Sequence, residues 1–148
     1  PQTPYMFRGT VILNLELGLD SDESDHARQL AAELGVDQLL GKASDEVSVG
    51  EAQRICLART LASKVPLVLL DEPLAPINAA SRAEISGIIK ARTKDRGLLW
   101  ATHSLEAVRA LADRLIVLDG GVVLQEGPVE RVLADPASAQ IAAIIGAA

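Results

Sequence analysis

Aromatic side chains are nearly absent, with one Tyr, one Phe and one Trp in 148 residues, alongside one Met and one Cys. The lone Cys56 excludes an internal disulfide and any zinc spacing; it suits a reducing compartment and reads as a small buried apolar residue. Cationic side chains are in the minority, 14 Lys and Arg against 20 Asp and Glu, for a net charge of −6. The densest charge run, residues 20–25, is acidic, so no basic stripe offers direct contact to nucleic acid. Long apolar runs are missing as well. The stretch 141–148 falls far short of the roughly 20 residues that cross a bilayer, and no secretory signal is visible. The expectation is a chain with no transmembrane segment of its own, for which a membrane matters through a partner.

What remains is ordinary for a folded domain: 49% apolar and 23% charged residues, in a length that fits one domain. Three apolar runs end in polar residues: 65–70 before Asp71, 98–101 before Thr102-His103, and 114–118 before Asp119-Gly120-Gly121. Continuous rather than alternating apolar character predicts strands covered on both faces. Helical patterns over 80–92 and 105–111 separate the three, and strand-helix-strand-helix-strand predicts parallel pairing with right-handed crossovers. Residues 122–128 read as a strand closing a hairpin over the glycine turn, and 129–134 as a short helix. Upstream lie two helical patterns, 24–34 and 51–62, around a polar segment at 41–46. The layout is a helical portion, about 1–64, followed by an α/β portion, about 65–148.

Three segments carry candidate chemistry. In Val47-Ser48-Val49-Gly50-Glu51-Ala52-Gln53-Arg54, Ser48 and Glu51 have capping-box spacing, and the helix start they define also offers free amides and a positive dipole end to an anion. Asp71 and Glu72 follow a strand, at the end where open α/β sheets bind ligands; there an Asp suits Mg²⁺ and an adjacent Glu suits polarising a water. His103 follows the next strand, where an imidazole donates to a terminal phosphate. His26, in a charged helical stretch, reads as solvated.

Taken together these segments resemble the ATP-binding cassette of ABC-type ATPases, from Pro1 to about Leu133. Ser48-Val49-Gly50-Glu51 looks like the signature segment, 67–72 like the Walker B strand, His103 like the switch histidine, and Gln2 like the Q-loop glutamine. The resemblance implies a partial P-loop NTPase (RecA-like) parallel sheet with an α-helical signature subdomain. It implies ATP and Mg²⁺ as cofactors, with Asp71 and Gln2 on the metal, Glu72 and His103 catalytic, and Ser48, Val49, Gly50, Glu51 and Asn78 on the nucleotide. The signature residues act in trans, on ATP held by a second cassette. It further implies a membrane permease as partner, an interface at Tyr5, Met6, Phe7 and Arg8, and a cytoplasmic, peripheral position at the inner face of the membrane. Val49 stands where the family has glycine, and Asn78 where it has aspartate.

The P-loop, G-x-x-x-x-G-K-[ST], is the missing piece. The nearest imitation, residues 35–43, has one residue too many between the glycines, ends in Ala43 and follows no strand. The resemblance puts the P-loop before Pro1, and the 148 residues are expected to be inactive by themselves. Two other readings stay open: a non-catalytic interaction module of the same fold, and a soluble ABC ATPase of DNA repair or translation.

Overall fold

The computed structural model describes residues 4–146, so Gln2 lies outside the described residues. They fall into two compact units, within Pro1–Ala101 and within Thr102–Ala148.

The first unit opens with a short helix α1 (Val11–Leu15), followed by α2 (Ser21–Glu33). Asp20 starts α2 with a full capping box, its Oδ1 accepting from the Glu23 amide at 2.8 Å while Glu23 Oε2 accepts from the Asp20 amide at 3.0 Å. Gly35 stops it. With φ +64° it lets its own amide reach Ala32 O and the Val36 amide reach Ala31 O, the paired closure of a Schellman ending. The P-loop imitation at 35–43 is therefore a helix terminator, with a helix where a P-loop has a strand.

Helix α3 (Val49–Ala62) leads into β1 (Leu67–Asp71), α4 (Ala79–Arg92) and β2 (Gly97–Ala101). Strands β1 and β2 pair in parallel, Leu67 opposite Gly97 through Asp71 opposite Ala101. The core of this unit gathers Leu15, Leu30, Ile55, Leu61, Val68 and Ile89, each nearly or fully buried.

The second unit holds α5 (Leu105–Leu111), β3 (Arg114–Asp119), β4 (Val122–Pro128), α6 (Val129–Ala134) and α7 (Ala139–Ile144). Gly120 and Gly121, at φ +53° and +78°, make the turn of the β3–β4 hairpin. Val117, Val132, Ile141 and Ile145 form its separate core.

The α/β class and the parallel sheet agree with the sequence reading. Two expectations need correction. The β3–β4 hairpin over the glycine turn is as expected, but among the described residues β1–β2 is a two-stranded sheet and β3 pairs with β4 alone, so the parallel pairing expected of 114–118 is not found. Nor are the strands covered on both faces: Val68 and Leu70 are buried, but Leu67, Leu69 and Leu99 are 52%, 63% and 56% exposed. One face of the pair packs on helices and the other is bare, which is the alternation of a half-buried strand.

Candidate functional site

Helix α3 begins where the Ser48-Glu51 spacing places it. The Glu51 amide donates to Ser48 Oγ at 3.3 Å, and Glu51 Oε2 accepts from both the Ser48 amide at 2.8 Å and its hydroxyl at 2.7 Å. These hydrogen bonds, the hydroxyl's first, hold the Glu51 carboxyl below its ordinary range, with lesser help from the charges of Lys42 and Arg54. Val49, the first helical residue, is 54% exposed. Gly50 is pressed against another segment: a Cβ built there meets the Pro76 carbonyl oxygen at 3.1 Å.

Pro76 belongs to the loop that leaves β1. Asp71 ends the strand on its exposed side, and the Glu72 amide continues the ladder by donating to Ala101 O at 3.0 Å. Glu72 then turns with φ 44°, the left-handed region, and it is the only such residue other than glycine among the described residues. Beyond it Pro73, Leu74 and Ile77 are buried. Asn78 closes the loop as the cap of α4, its Oδ1 accepting from the Ser81 amide at 3.0 Å.

The aromatic pair near the start is exposed, Tyr5 by 65% and Phe7 by 49%, and stacks edge to face at 4.9 Å. Arg8 is exposed, whereas Met6 packs on the core. Tyr5, Phe7, Gln53, Cys56, Leu69 and Asp71 share one open groove of about 300 Å³. The structure thus brings a candidate partner surface to the carboxylate end of β1. Cys56 is only half-buried, with Tyr5 O and Met6 Sδ within 4 Å of its sulfur, and burial pushes its thiol up against the opposing pull of Arg59.

His103 lies in the second unit, in the exposed turn before α5, where Ser104 accepts from the Ala107 amide at 3.2 Å and caps the helix.

One residue that organises this region escaped the sequence reading, and one reading elsewhere in the unit needs correction. Asn14, 2% exposed, accepts from the Phe7 amide at 2.6 Å and donates to Phe7 O and Thr10 O, fixing the segment that bears the aromatic pair. Its only signal was an amide side chain in an apolar helical turn. His26 is not simply solvated: its Nε2 sits 3.2 Å from Arg92, which also pairs with Glu33, so α2 and α4 are tied through charge.

The family model described as ABC transporter matches residues 1–75. The chain belongs to the ABC transporter family. Relatives run along most of it: the molybdenum import ATP-binding protein ModC of Pseudomonas savastanoi pv. phaseolicola is 37% identical over 84% of this chain and 36% of its own length. The aliphatic sulfonates import ATP-binding protein SsuB 2 of Agrobacterium fabrum is 36% identical, over 82% of the chain and 48% of its own. The thiamine import ATP-binding protein ThiQ of Shigella flexneri serotype 5b is 32% identical, over 90% and 58%. The ABC chain therefore spans between about a third and three-fifths of the length of these relatives. Its mixed α/β fold with a parallel pair is that of a partial P-loop NTPase. No helix among the described residues is long and apolar enough to cross a membrane.

The donor set fits magnesium nucleotide in part. Asp71 offers a hard carboxylate oxygen at the carboxyl end of a parallel strand, which suits Mg²⁺. The capped start of α3 has the amides and dipole that suit a phosphate. A glycine-rich phosphate cradle following a strand is not among the described residues, and they hold no cluster of three or more metal-ligating side chains.

Proposed function

We propose that this chain is part of the ATP-binding and ATP-hydrolysing subunit of a membrane importer. The observation that carries the proposal is the order of signature segment, acidic strand end and histidine turn, in a chain whose relatives are named as import ATP-binding proteins. Asp71 and Gln2 hold Mg²⁺. Glu72 accepts a proton from the attacking water, and His103 donates to the terminal phosphate. Bound ATP supplies the phosphoanhydride whose cleavage drives transport. The signature residues Ser48, Val49, Gly50 and Glu51 face the nucleotide of a second cassette, so a complete site needs two protomers, and Asn78 also contributes to nucleotide binding.

Tyr5, Met6, Phe7 and Arg8 meet a permease subunit, which keeps the protein peripheral at the inner face of the membrane. An exposed aromatic pair on an otherwise aromatic-poor chain supports that assignment, since such side chains give large contact area at interfaces. The division into a helical portion, about 1–64, and an α/β portion, about 65–148, is part of the same reading. So is the inactivity of the 148 residues without a phosphate cradle.

Glu72→Gln in the full-length protein tests this function. ATP binding is expected to persist while hydrolysis falls at least about a hundredfold, the scale on which a positioned general base acts. Hydrolysis at the wild-type rate in that variant would refute it.

A further inference from the structure

The close approach of Gly50 to the loop after β1 joins two segments that the proposed function treats separately. We infer that Gly50 is a positioning residue: its missing Cβ seats the Pro76 carbonyl against the first turn of α3, so that the Ser48–Glu51 segment and the loop carrying Glu72 and Asn78 move as one body. The inference rests on the ATPase reading and adds to it a mechanical link within one protomer.

The loop has little freedom to retreat. The Ala75 amide donates to Glu72 O at 3.2 Å and the Ile77 amide to Leu74 O at 3.1 Å, two overlapping turns of which the second holds Pro76. Pro73, Leu74 and Ile77 are buried, and Ile77 O accepts from Arg82 Nε at 2.9 Å. Proline also fixes φ at position 76. On the other side, α3 is held by its buried face, with Ile55, Ala58 and Leu61 in the core, and by its cap at Ser48. A methyl group at position 50 would have to displace the carbonyl by a few tenths of an ångström, and both walls are anchored. The displacement would pass to Glu72, four residues upstream, and to Asn78, two residues downstream.

This gives an experiment in which two physical effects have opposite signs. Alanine is the better helix former, so with nothing in its way Gly50→Ala raises thermal stability. With the contact in place it lowers the melting temperature of the full-length protein, by about 2–4 °C for a domain of this size. In the assembled transporter, Gly50→Ala is expected to lower kcat for ATP hydrolysis about tenfold through a displaced Glu72, and relief of that loss by Pro76→Gly separates it from crowding of the nucleotide by the new methyl group, which Pro76→Gly leaves in place. Pro76→Gly frees the carbonyl to swing away, so the double variant is expected to recover most of both losses. A rise in melting temperature with Gly50→Ala, or losses that add in the double variant, would overturn the inference. If Gly50→Ala does not fold, recovery of folding by Pro76→Gly supports the contact, and failure to recover overturns it. A wild-type protein that hydrolyses no ATP would refute the proposed function, and the sign of the stability change would still decide the contact.

Discussion

Glu72 combines a left-handed backbone with the position of the proposed base. A side chain at φ 44° costs on the order of 1–2 kcal/mol relative to glycine. Replacing Glu72 with Gly is therefore expected to raise unfolding free energy by about 1 kcal/mol while abolishing hydrolysis, measured by denaturant titration and phosphate release. Ser48 and Glu51 make a second residue-level prediction. Ser48→Ala removes the cap of α3 and is expected to cost about 1 kcal/mol. The pH dependence follows from the lowered Glu51 carboxyl. Its contribution is fully present above the unfolded-state value near 4.3 and is lost as pH falls through the lower folded-state value, so Glu51→Gln should flatten the acid limb of the stability curve.

At the scale of elements, Arg96 holds three pieces of chain together. It donates to Ser63 O at 2.5 Å and Leu61 O at 3.0 Å, at the end of α3, and to Arg92 O near the end of α4. Arg96→Ala leaves those carbonyls without their cationic donor and should destabilise the protein by about 2 kcal/mol in urea unfolding. Elements of this kind were largely legible beforehand, because α3, α4 and both hairpin strands carry their periods, caps and glycine turns locally. The Ser48–Glu51 capping box and the acids ending β1 were readable for the same reason. The hairpin pairing was readable from its glycine turn, but the parallel pairing was not: whether 114–118 also joins β2 depends on which edges are offered, and a run of leucines does not say which of its faces is bare. Arg96 and the Gly50–Pro76 contact were equally hidden, since each depends on groups brought together across the fold, by up to 35 residues of chain for Arg96 and Leu61.

For the molecule as a whole, the bare face of β1 and β2 predicts behaviour in solution. Leu67, Leu69 and Leu99 are exposed side by side, and exposed apolar surface next to an unpaired strand edge promotes association. The 148 residues alone are expected to elute as oligomers or aggregates, and Leu69→Glu with Leu99→Glu to shift them toward monomer in size-exclusion chromatography. The two separate cores have a further consequence. Among the described residues, the main apolar cluster of the unit of β3, β4 and the last helices joins four buried side chains, whereas that of the other unit joins nineteen. Local opening takes less free energy where less is buried. In deuterated buffer the hairpin amides should therefore exchange well before those of α3, and the chain should record its own construction as two clocks running at different speeds.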